Sequence, residues 1–73
     1  MAEFKFEIVE SLGEISETSK GWKKELNMVS YNDRAPKYDI REWSPEHDKM
    51  SKGLTFTKEE MVALKNILNS IDL

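Results

Sequence analysis

Lys37, Arg41 and Trp43 occupy alternate positions of the stretch Lys37-Tyr38-Asp39-Ile40-Arg41-Glu42-Trp43. If this stretch is a strand, the three side chains share one face, because strand side chains alternate with a period of two. They would then be spaced at multiples of about 6.6–6.8 Å. Cations and a flat ring at that spacing suit a single nucleic-acid strand, which offers a charge on every phosphate and an aromatic face on every base. Other readings stand beside this one. Trp43 is equally suited to a core or a dimer interface, and Arg41 could pair with Asp39 or Glu42. Trp22-Lys23-Lys24 repeats the aromatic and basic combination directly after Gly21, with core packing of Trp22 as the competing reading.

Little else in the chain is equipped for chemistry. There is no cysteine, and the single histidine, His47, lies in a polar loop after a proline, where it reads as an exposed loop residue. Gly13, Gly21 and Gly53 are far apart and none opens a helix, so there is no phosphate-cradling loop. No set of His, Asp and Glu has the spacing of a metal site. The carboxylates read as solvated surface. A non-enzymatic module without metal or cofactor is expected.

The net charge of −3 argues at first against a nucleic-acid partner. Its distribution softens that objection. Residues 1–20 carry Glu3, Glu7, Glu10, Glu14 and Glu17 against Lys5 and Lys20, whereas residues 21–52 hold seven bases, six acids, both tryptophans and both tyrosines. No apolar run is long enough to cross a membrane, and the first residues lack the basic-then-apolar pattern of a signal peptide. A cytoplasmic protein is expected, nucleoid-associated if bacterial. With 73 residues the chain forms one domain, 1–73. A domain of that size buries only about 60% of its unfolded surface and needs help to be stable. Without disulfides or a metal, that help is a partner subunit.

The elements follow from periodicity and turn chemistry. Phe4, Phe6 and Ile8 alternate with charged residues as in a half-buried strand, and Gly13 predicts a bulge or bend that resets the facing. Ser16 to Gly21 reads as a turn. A second strand runs from Trp22 to Tyr31, with Leu26 and Met28 of one parity and Val29 and Tyr31 of the other. Asn32 to Pro36 is loop chemistry. Lys37 to Trp43 is the third strand, 46–51 a polar loop, and Gly53 to Phe56 a short fourth strand. Thr57-Lys58-Glu59-Glu60 is a capping box that opens a helix over about 57–71, whose stripe is Met61, Leu64, Ile67, Leu68 and Ile71. The expected fold is α+β: a four-stranded antiparallel sheet followed by one C-terminal helix (ββββα). One helix covers one face and leaves the other to water or a ligand.

Tyr38-Asp39-Ile40-Arg41-Glu42-Trp43, followed by Lys52-Gly53-Leu54-Thr55-Phe56-Thr57-Lys58-Glu59-Glu60, resembles the single-strand-binding core of the transcriptional positive cofactor four family. Gly21-Trp22-Lys23-Lys24-Glu25-Leu26-Asn27 and Pro36 to Pro45 resemble its small bacterial YdbC-like branch. The resemblance implies a curved sheet that grips single-stranded DNA, and a homodimer. It assigns Lys37, Arg41 and Lys52 to the DNA face and Trp43 to a strand-end aromatic site; on the preceding strand this chain has Glu25 and Asn27 where the family is basic, and Trp22, Lys23 and Lys24, read from the residues themselves, complete the expected nucleic-acid-binding set in compensation. The eukaryotic members have a tryptophan one position further on, where this chain has Ser44. Met61, Leu64 and Leu68 are the expected dimer interface. The function so implied is sequence-tolerant binding of single-stranded DNA, with RNA left open, in transcription regulation, replication or repair. The alternative is an adaptor for transcription proteins on the same fold.

Overall fold

The structure is a computed structural model that describes residues 5–73; Phe4, counted in the first-strand alternation, lies outside them. Strands β1 (Phe6–Glu17), β2 (Lys23–Tyr31), β3 (Lys37–Trp43) and β4 (Leu54–Phe56) are followed by helix α1 (Lys58–Ser70). The strands form one antiparallel sheet in the order β1-β2-β3-β4. This is the expected ββββα arrangement, with β2 and β4 each starting one residue later than the sequence predicts. Asn32 and Asp33 turn the chain between β2 and β3 with φ of 53° and 63°, a region those two residue types tolerate.

The sheet is strongly curled. Phe6 pairs with Tyr31, and Trp43 pairs with Lys23, at opposite ends of β2. On a flat sheet those ends would lie about 26 Å apart, yet the Phe6 and Trp43 ring centroids are 5.2 Å apart. The face carrying both rings is therefore concave. It holds Glu25, Asn27, Val29 and Tyr31 from β2 and Lys37, Asp39, Arg41 and Trp43 from β3. The convex face holds Lys24, Leu26 and Met28 against Glu42, Ile40 and Tyr38.

The origin of the curl is in β1. Its register against β2 slips between Ile8 and Glu10, between Ser11 and Gly13, and between Glu14 and Ser16. Each slip leaves one extra residue, and each bulge bends the strand and adds twist. The sequence predicts an irregularity at Gly13. The structure has one there and two more, repeating every third residue.

Helix α1 begins as expected. The Thr57 hydroxyl accepts from the Glu60 backbone N–H (3.2 Å), and the Glu60 carboxylate accepts from the Thr57 N–H (2.8 Å). The helix rests on the convex face against β3 and β4, yet none of its residues is buried. The fully buried side chains, Trp43, Val29, Asn27 and Asp39, are instead on the concave face. This overturns the expectation that the helix-free face stays open to water. Curling drives its side chains together, and the segment after β3 folds back over it. In that segment Ser44 N–H donates to the Lys49 carbonyl (3.0 Å), and Met50 forms a bridge with Trp43.

Candidate nucleic-acid interface

The concave face is built around charge. Arg41 Nε and Nη2 donate to Asp39 Oδ1 and Oδ2, both at 2.8 Å, with Arg41 13% and Asp39 0% exposed. Tyr31 Oη donates to Asp39 Oδ2 (3.0 Å), and the Tyr31 ring lies 5.1 Å from the Arg41 guanidinium carbon. Burial, reinforced by the neighbouring Asp39 charge, pushes the Tyr31 hydroxyl far above its ordinary value of 10. Of the readings left open for Arg41, the pair with Asp39 is the one formed. A second cluster joins Glu25, Asn27 and His47: Asn27 Nδ2 donates to Glu25 Oε1 (3.0 Å), and His47 Nε2 lies 3.0 and 3.1 Å from the two Glu25 oxygens. A carboxylate only accepts, so Nε2 carries the proton. His47 also stacks on Trp43 at 5.9 Å. It is a partly buried lid residue, where the sequence suggested an exposed loop.

Trp43 is a core residue. It is 0% exposed, between Phe6 and His47, and its ring has no face open for a base. Its Nε1 and Asn27 Oδ1 are buried without a hydrogen-bond partner among the described residues. Lys23 and Lys37 also belong to the concave face by register, Lys23 in an ion pair with Glu14 (3.4 Å) and Lys37 exposed.

The remaining expected residues gather elsewhere. Lys24 and Glu42 are opposite one another on the convex face. Glu42 borders two shallow depressions, one lined by Lys20 and Trp22, the other by Lys24, Ile40, Lys52 and Leu54. The result is a basic and aromatic patch, with one acid at its centre, on a part of the sheet that α1 leaves uncovered. Trp22 is partly exposed there and Lys20, Lys24 and Lys52 are exposed.

Local structure fixes this patch. Thr18 N–H donates to the Trp22 carbonyl (2.7 Å), Gly21 N–H to the Thr18 carbonyl (3.0 Å) and Trp22 N–H to Thr18 Oγ1 (3.1 Å). The turn closes through Gly21 at φ +86°, a conformation that suits glycine. Lys52 is carried by the segment into β4, where Gly53 packs so closely on Arg41 that a Cβ would collide with the Ile40 carbonyl and the Arg41 side chain. Of the expected nucleic-acid set, the structure thus places Trp22, Lys24 and Lys52 about Glu42, and the register sets Lys23, Lys37, Arg41 and Trp43 on the opposite face, with Arg41 also bordering the depression that holds Lys24 and Lys52. Lys20, outside the expected set, lines the same depression as Trp22; its signal was its place in the run Lys20-Gly21-Trp22-Lys23-Lys24.

Similarity to known proteins bears on this geometry. Residues 18–67 match the family described as Transcriptional Coactivator p15 (PC4). The match begins at the threonine that closes the Trp22 turn and runs into α1, so it contains the whole patch. The chain belongs to that family. It is also 46% identical over 71 residues to an uncharacterized protein of Treponema pallidum (strain Nichols), covering 97% of this chain and 84% of that protein. The family is a nucleic-acid-binding, non-enzymatic one, with a transcription-cofactor-like role in general. Among the described residues, no helix is long and apolar enough to cross a membrane.

Proposed function

We propose that this protein is a sequence-tolerant single-stranded nucleic-acid binder, acting as a homodimer. The observation that carries this reading is the partly exposed Trp22 beside Lys20, in a depression that meets at Glu42 a second one lined by Lys24 and Lys52, on a chain that is acidic as a whole. Bases stack on the indole and phosphates follow the lysines, a combination that tolerates any sequence because every base has a π-face. Arg41, neutralised by Asp39, shapes the sheet beneath and leaves phosphate contact to the lysines. Lys37 is exposed on the concave face and lies outside this patch. Supported by family membership, the process served is transcription, replication or repair, in the cytoplasm or on the nucleoid.

The dimer reading rests on α1. A helix with no buried residue, bordering an apolar groove of about 550 Å³ between itself and the sheet, leaves Met61, Leu64 and Leu68 short of cover. A second subunit supplies it.

The test is Trp22→Ala. Loss of a stacking ring weakens oligo-dT binding by about 1–3 kcal/mol and leaves the salt dependence almost unchanged. The melting temperature, measured alongside, stays close to that of the parent. Unaltered binding by a normally folded variant would contradict the assignment.

A further inference from the structure

Glu42 has the wrong sign for a phosphate path, yet it lines both depressions of the patch. It is half-buried and directly opposite Lys24 across the sheet, with Lys20 in one depression and Lys52 in the other. Among the described residues its carboxylate nevertheless forms no ion pair and no hydrogen bond. Its backbone is held instead. The Glu42 N–H donates to Ser51 Oγ (3.1 Å), and the Glu42 carbonyl accepts from the Ser51 N–H (3.0 Å). The residue is thus fixed in place with both carboxylate oxygens open. Toward a phosphate such a group is repulsive, but toward a base it is an acceptor with two oxygens.

The neighbouring ring says what it would accept from. Trp22, immediately before β2, lies two positions from Lys24 and shares its face. It is therefore diagonal to Glu42, at the spacing of about 7–8 Å that long side chains and rings bridge. The two residues line one depression of about 470 Å³, within the size range of small-molecule sites. A base stacked on the indole turns an edge toward the Glu42 carboxylate, and Lys20 meets the adjoining phosphate.

In a single strand that edge is the Watson–Crick edge, free to be read; in a duplex it is already paired. Adenine and cytosine each offer there one amine beside a ring nitrogen that accepts, and thymine offers one N–H between two carbonyls. Guanine offers two adjacent donors, N1–H and N2–H, which match the two oxygens of a carboxylate in parallel. A bidentate, charge-assisted pair of this kind is stronger and more selective than a single neutral bond.

We infer that Glu42 makes this patch guanine-preferring: stacking on Trp22 admits every base, and the carboxylate ranks them by the donors they present. The inference rests on the single-strand reading above and adds to it which base the site favours.

The test compares strands of equal length at one salt concentration by fluorescence anisotropy: oligo-dT, the same strand with a few isolated guanines, and the same strand with inosine in their place. Inosine differs from guanosine by loss of the N2 amine, so this comparison needs no altered protein. The parent is expected to bind the guanine strand about tenfold more tightly than oligo-dT, the scale of one bidentate contact to a base, and the inosine strand less tightly than the guanine strand. Glu42→Gln, which puts an amide donor where an oxygen accepted, is expected to bind all of them alike, with a thermal melt run beside it to establish that it is folded. A parent that binds the guanine strand and oligo-dT equally would overturn the inference and leave single-strand binding standing. So would a guanine preference kept in full by inosine, or by folded Glu42→Gln. A parent that binds none of the strands would overturn both readings.

Discussion

At the scale of single residues, Arg41 and Lys52 divide what the sequence could not divide. Both are cations within the span that matches the family, but Arg41 is locked to a fully buried Asp39, whereas Lys52 is exposed. Removing one partner of a buried ion pair strands the other charge, at a cost of about 3–5 kcal/mol. Arg41→Ala is therefore expected to lose stability on that scale in a denaturant titration, because the fully buried Asp39 would lose its charged partner and keep the neutral Tyr31 hydroxyl. Lys52→Ala should stay within about 0.5 kcal/mol of the parent while weakening nucleic-acid binding. Equal stability of the two variants would mean that the Arg41–Asp39 pair is not part of the fold's framework. Trp43 and Trp22 divide in the same way. One is sealed between Phe6 and His47, the other stands at a turn beside lysines. Parity places a side chain on a face, but it does not say whether that face is open.

Elements whose signals are local were legible in the sequence. The Thr57 to Glu60 capping box, the β3 alternation and the Asn32-Asp33 turn are each set by neighbours within a few residues, and all formed as read. Replacing the cap by Thr57→Ala is expected to cost about 1 kcal/mol, read as a lower midpoint in thermal unfolding followed by circular dichroism. An unshifted midpoint would mean that α1 is held by packing alone. The bulges at Val9 and Ile15 were not legible. Neither position carries a glycine, and a bulge is set by the partner strand's register, which sequence periodicity does not contain. That omission propagated. Without the curl, the concave face looked free for a ligand, and His47 looked like a loop residue with nothing to touch. In the structure it reaches Glu25, twenty-two positions away along the chain.

For the whole molecule, the two faces of the sheet divide the work. The concave face is closed by its own side chains and the segment after β3. The convex face carries the helix, the uncovered apolar surface and, beyond the helix, the Trp22 patch. The buried core and the proposed binding patch thus occupy opposite sides of one thin sheet, and a chain with net charge −3 keeps a local group of lysines there because its first-strand acids do not line the patch. The central claim is that this patch takes up single strands. The most direct measurement is the intrinsic tryptophan fluorescence of the parent and of Trp22→Phe, titrated with oligo-dT and with a duplex of equal length at several salt concentrations. With Trp43 sealed, Trp22 is the ring available for quenching. Oligo-dT is predicted to quench the parent and not Trp22→Phe, and to bind more tightly than duplex. The log–log salt slope should be about −2, from three lysines at about −0.7 each. Quenching that persists in Trp22→Phe, or equal affinity for duplex and single strand, would contradict the account.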